Sequence, residues 1–144
     1  PGTVARVEAL LTSKWDGVRQ LAIEVLGRWQ RPQDFERLRV WATTGAVPVW
    51  RDRVRHAAVK ALVPLLRHPR DDAWLWEACV ANPWLWRPAN AHFHQVPAHT
   101  LNDLMSSELQ RNDPGRLSAS IVVLMDARRT LLPALAAIGT ALKN

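Results

Sequence analysis

Four cationic side chains recur at helical spacing in one stretch of the chain: Arg53, His56, Lys60 and Arg67. Residues three, four and seven apart share a helix face, so these four fall on one side of it. Guanidinium, ammonium and imidazolium groups in a row bind carboxylates or phosphates through charge-assisted hydrogen bonds. The chemistry expected of them is docking. His56 adds a group whose charge changes on mild acidification.

The other reactive residue types give weaker patterns. Trp84 and Trp86 stand in a proline-rich stretch, and tryptophan is enriched at binding hot spots. Trp29, Trp41, Trp50 and Trp74 fall on or beside apolar stripes and are expected in the core, whereas Trp76 is not so easily placed. His92, His94 and His99, with Asp103 one helical turn beyond His99, have side chains able to ligate a metal. Their spacing is loose, Pro97 interrupts it, and surface histidines beside a proline loop are the favoured reading. Cys79 lies in an apolar helix with no basic neighbour to lower its pKa, which marks a buried thiol rather than a nucleophile. The chain has no glycine-rich phosphate loop, no nucleophile elbow and no metalloprotease helix. No catalytic residue, cofactor or metal is expected.

The elements that must position the cations follow from apolar periodicity. Val54, Ala57, Ala58, Ala61, Leu62 and Leu65 form the stripe opposite the cationic row. A helix from about Trp50 to Arg67 is predicted, kinked at Pro64 and stopped by Pro69. Before it come a short helix over Val4–Leu11, a second capped by Ser13 or Asp16 and running to about Gly27, and a third over Gln33–Thr44. Gly45–Pro48 is the turn between the third and the fourth. Asp71 and Asp72 open a fifth helix over Ala73–Ala81, apolar around most of its circumference, and therefore either covered on two sides or presenting an exposed tryptophan. Residues 82–96, divided by Pro83, Pro88 and Pro97, read as irregular. A sixth helix carries Leu101, Leu104, Met105 and Leu109. The seventh has Asp113 as N-cap and Pro114 as first residue. The eighth runs from Thr130 to Leu142. No period-two alternation bounded by hairpin turns persists, so the fold class is all-α.

Two of these helices repeat one design. Aligning Val18 on Val54 gives a period of 36 residues, with Asp16/Asp52, Arg19/Arg55, Ala22/Ala58 and Leu26/Leu62 in register. A fixed period in this range indicates stacked supersecondary units. Paired helices with Asp-x-Val-Arg-x-x-Ala opening the second of each pair resemble HEAT repeats. The resemblance covers residues 14–67 well and residues 70–144 only as degenerate copies; a further shift of 36 places Asn90 where valine belongs. It implies a single HEAT-like domain over residues 1–144, a short α-solenoid of antiparallel helical hairpins with about eight helices. It also implies that Asp16, Arg19, Asp52 and Arg55 form a structural hydrogen-bond ladder between neighbouring repeats. Second helices of such pairs line the concave face, so the cationic row would look into the groove. The matching outward positions of the first repeat are Gln20 and Glu24, which confines the basic patch to the second.

The charge distribution agrees. The formal net charge is +6. Residues 14–70 hold twelve Lys/Arg against five Asp/Glu, whereas residues 71–144 hold six against seven. The positive excess belongs to the clear repeats, as expected of a basic face. At 144 residues the chain can bury a core without disulfide or metal staples. One cysteine excludes an internal disulfide and fits a reducing, cytoplasmic compartment. No apolar run approaches a bilayer span, and no secretory leader opens the chain. Starting at Pro1-Gly2 rather than methionine, it reads as a processed product or a module of a longer protein.

The expected function is that of a non-enzymatic scaffold binding an acidic protein or peptide on its concave basic face through Arg53, His56, Lys60 and Arg67, with Trp84 and Trp86 as further contacts. The alternative is nucleic-acid binding in the same groove. That alternative includes the HEAT-like DNA glycosylases that repair alkylated bases, whose tryptophan-rich repeats the segment Trp41 to Arg55 resembles. No catalytic carboxylate flanked by an aromatic pair matches theirs.

Overall fold

The structure, a computed structural model, describes residues 2–43 and 52–126. The predicted Gly45–Pro48 turn, Trp50 and the predicted Thr130–Leu142 helix lie outside them. The described residues are all-helical, without a strand. Their α-helices are α1 (Gly2–Leu10), α2 (Asp16–Trp29), α3 (Phe35–Thr43), α4 (Arg53–Leu62), α5 (Asp72–Ala81), α6 (Trp86–Phe93), α7 (Ala98–Arg111) and α8 (Pro114–Asp126). The chain divides into two compact units, 1–66 and 67–144. The first holds both clear copies of the repeat.

In the first unit α1 packs on α2, α3 on α4, and α2 on α4. The two copies of the repeat are thus side by side. Ala22, Ile23 and Leu26 of α2, Leu38 and Ala42 of α3, and Val54, Ala58, Val59 and Leu62 of α4 are its buried core. Both motif alanines, Ala22 and Ala58, are almost without exposure, because two helices approach closely only over small side chains.

Gly27 makes the same point more sharply. It was expected to end α2; the helix instead runs through it to Trp29. A Cβ at position 27 would lie 2.8 Å from Ala61 Cβ, so the missing side chain lets α2 and α4 touch. The end of the helix is formed by Gln30, which adopts the left-handed conformation (φ 50°) and donates its N–H to Leu26 O. Beyond it Arg31 grips the buried Asp34 through Nε and Nη2, at 2.7 and 2.8 Å, and its guanidinium lies over the Trp29 ring. Hydrogen bonding to Asp34 holds the Arg31 pKa above its ordinary value. Arg31 and Arg37 also reach Glu8, tying α1 to this corner.

Pro64 stops the α-helix instead of bending it. α4 ends at Leu62, Val63–Leu65 tighten into a 3-10 turn, and Leu66 is extended. Proline supplies no N–H for the next α-type bond and crowds the preceding turn.

In the second unit α8 packs against α5, α6 and α7, and α5 against α6. Residues 82–96 are more regular than the prolines suggested. Pro83 opens a 3-10 turn over Pro83–Leu85, Pro88 sits in the first turn of α6, and Pro97 immediately precedes α7. At all three places the missing N–H has no helical partner to lose. The apolar α5 is covered on two sides. Trp76 is only 2% exposed, meets Phe93 edge-on at 6.1 Å, and donates Nε1–H to Glu108 Oε1 at 3.0 Å. Asp113 caps α8 as predicted, its Oδ1 accepting from the backbone N–H of Gly115 and Arg116.

Candidate functional site: the outward face of α4

The start of α4 is fixed by Asp52, whose Oδ1 accepts from the backbone N–H of Arg55 at 3.0 Å. This satisfies one of the amides that a first turn leaves without a partner. From that start the helix phase follows. Val54, Ala57, Ala58, Ala61 and Leu62 turn inward; Arg53, His56 and Lys60 are exposed on the other side. The structure therefore brings three of the four predicted cations onto one helix face. Arg67 is not among them: α4 ends five residues earlier, and Arg67 opens the second unit, where its backbone N–H donates to Asp71 Oδ2 at 2.7 Å.

Among the described residues neither Arg53 nor Lys60 has an ion-pair partner. Arg55, one step around the helix, behaves differently. It is buried, and its Nε lies 3.7 Å from Asp52 Oδ2. The equivalent pair in α2, Arg19 and Asp16, is also in contact; Arg19 further donates to Ser13 O at 2.9 Å and lies over the Trp41 ring of α3. In both copies the motif aspartate meets the arginine of its own repeat, three residues on. The two copies differ in capping. Asp52 is the N-cap of α4, whereas Asp16 is already helical and Trp15 precedes it without a side-chain cap.

Beside the row, between α2 and α4, lies an open groove of about 310 Å³, lined by Glu24, Gly27, Arg28 and Gln30 on one side and Ala57, Lys60 and Ala61 on the other. Arg28 is not among the residues that the sequence pattern singles out. The signal was present: Gln20, Glu24 and Arg28 are spaced by four, and Gln20 and Glu24 are the register counterparts of His56 and Lys60. Continuing that row by one turn reaches a cation. Among the described residues Arg28 has no ion-pair partner, while Glu24 accepts from Gln20 Nε2 at 2.9 Å.

The aromatic candidates belong to the second unit. Trp84 is 55% exposed in its 3-10 turn; Trp86, the first residue of α6, is half-buried with the Arg87 guanidinium 5.2 Å from its ring centre. Trp76 is the core tryptophan there. Trp29, Trp41 and Trp74, expected in the core, are only partly buried.

The histidines do not converge. His92, expected at the surface, is buried, and its Nε2 meets Asp72 Oδ1 at 2.7 Å; the other oxygen of Asp72 contacts His68 Nδ1. His94, His99 and Asp103 are exposed. No group of three or more metal-binding side chains is assembled among the described residues. Cys79 is wholly buried, and burial pushes its thiol far above the ordinary value, which disfavours the nucleophilic thiolate. No helix among the described residues is long and apolar enough to cross a membrane. Comparison with protein-family models, with curated proteins and with solved structures found no match.

Proposed function

We propose that this chain is a HEAT-like helical-repeat module that binds an acidic protein or peptide on the outward face of α4 and does no chemistry of its own. One observation carries the reading: Arg53, His56 and Lys60 stand exposed on a single face of a helix whose opposite side is buried. Arg53 and Lys60 are unneutralised by any carboxylate among the described residues. Exposed charge of one sign steers an oppositely charged partner and fixes its orientation more than it adds affinity. The side-by-side packing of α2 and α4 is what stacked repeats of a solenoid require. The free, buried Cys79 fits a reducing, cytoplasmic setting. Trp84 and Trp86 are a second, aromatic contact in the same account.

The test is a titration of the protein with a labelled peptide alternating glutamate and alanine, and separately with a labelled DNA duplex, at low and raised salt. The acidic-partner reading predicts saturable peptide binding that weakens with salt and is lost when Arg53 and Lys60 are both reversed to glutamate. Tighter binding of duplex, with the steep salt slope of phosphate neutralisation, would replace it with the nucleic-acid reading. Peptide affinity unchanged in the double reversal would remove α4 from the site.

A further inference from the structure

The groove beside α4 has a composition that the outward row alone does not explain. Its floor is small and apolar, made by Gly27, Ala57 and Ala61; its two sides carry Arg28 from α2 and Lys60 from α4. The floor exists because position 27 has no side chain, since a methyl there would collide with Ala61. Its volume of about 310 Å³ is at the lower end of the roughly 300–1,000 Å³ of ligand sites. That is room for a side chain or two, not for a folded element.

We infer that this groove is a subsite for one acidic residue of an extended peptide, its carboxylate held between Arg28 and Lys60 and a small neighbouring residue resting on Gly27, Ala57 and Ala61. The inference rests on the reading of α4 as a docking face, and adds to it a residue on another helix. Charge complementarity selects the occupant. The lining holds two cations without ion-pair partners among the described residues and one carboxylate, Glu24, which is engaged by Gln20. A nucleic-acid strand carries a phosphate at every step and must bring one close to Glu24; a peptide spaces its carboxylates with neutral residues.

Helix polarity argues the same way. Gly27, Arg28 and Gln30 mark the C-terminal end of α2. The last carbonyls of a helix lack donors within it, and the helix end carries partial negative charge. A bare anion is disfavoured there. A peptide supplies backbone N–H groups to those carbonyls along with the carboxylate, and a phosphate diester supplies none.

The test uses the whole protein, the glutamate–alanine peptide and its uncharged counterpart in which glutamine replaces glutamate. Arg28→Ala is expected to weaken binding of the glutamate peptide about fivefold or more and to leave the glutamine peptide unchanged. Arg28 is exposed, so the variant should keep the wild-type circular dichroism spectrum and melting temperature. Lys60→Ala should behave alike, and the two losses should be less than additive in free energy, because both side chains hold one carboxylate. If Arg28→Ala binds as the wild type does while the Arg53→Glu, Lys60→Glu double reversal does not, the groove is overturned and the α4 face stands. If neither variant affects binding, both fall. If Arg28→Ala weakens a DNA duplex as much as the peptide, the groove is a general anion site and the peptide occupant is overturned.

Discussion

Gly27→Ala is the most discriminating perturbation of the packing that builds the groove. Glycine inside a helix costs about 1 kcal/mol relative to alanine, so on propensity alone the substitution stabilises. Against this, the new Cβ would sit 2.8 Å from Ala61 Cβ and 3.1 Å from Ala61 Cα, neither of which can swing aside. Inserting a methyl into a close-packed contact costs about 1–3 kcal/mol. The net expectation is a loss of up to about 2 kcal/mol. Gly17, in the same helix, is the internal control, because a Cβ there meets nothing within 4 Å. Gly17→Ala should be neutral or stabilising by up to about 1 kcal/mol. Urea unfolding reads the difference. With a slope of about 2 kcal/mol per molar, a gap of up to about 3 kcal/mol separates the two midpoints by up to about 1.5 M. Adding Ala61→Gly to Gly27→Ala removes the closer of the two contacts and leaves the one to the Cα, so the double mutant should be more stable than the sum of the two single effects by up to about 3 kcal/mol. Strict additivity, or a Gly27→Ala protein as stable as Gly17→Ala, would refute the close approach of α2 and α4.

Ala58→Phe, at a position with no exposure, should destabilise by about 1–3 kcal/mol or more, while Lys60→Ala on the opposite face leaves the melting temperature within error; equal effects would mean that α4 is rotated from the orientation given. Asp52→Ala should cost about 1 kcal/mol as a lost cap, and Asp16→Ala less, because Asp16 does not cap α2; equal urea midpoints would deny the difference in capping. Glu108 should make the second unit acid-sensitive. Burial alone would raise its pKa, but hydrogen bonds from Arg116 and Trp76 outweigh it and hold it below the usual carboxylate value. A carboxyl depressed in the folded state stabilises above its unfolded pKa of about 4.3, and that contribution is lost as pH falls through the folded value. Glu108→Gln should therefore be less stable than wild type at pH 7, with the gap closing towards pH 3; a gap constant with pH would show that the charge is not what matters.

Much of the first unit was legible because its signals are local. The 36-residue register located α2 and α4, and Asp52 followed by an apolar stripe fixed the phase that puts Arg53, His56 and Lys60 outward. Pairwise approach was not legible. Nothing local distinguishes Gly27 as a contact glycine from Gly27 as a helix end, and the difference lies in Ala61, on another helix. Arg28 escaped for the same reason, because a groove is a property of two helices. Arg67 lies beyond the helix because Pro64 ends α4 rather than bending it, a choice that tertiary packing makes and local spacing does not. In the second unit the prolines misled in the other direction. Pro83, Pro88 and Pro97 break a helix only at interior positions, and all three occupy first turns or the residue before one. The burial of His92 has no local signal because its partner, Asp72, is twenty residues away, and that of Trp76 has none because Glu108, which accepts its indole N–H, belongs to α7.

The claim that α4 carries the binding face is tested most directly by following the backbone amide resonances of the intact protein while the glutamate–alanine peptide is added. The account predicts salt-sensitive shifts concentrated at Arg53, His56 and Lys60 on α4 and at Arg28 on α2, with little change in α7. Shifts centred on Trp84 and Trp86 with α4 silent, or no saturable shift at any residue, would contradict it.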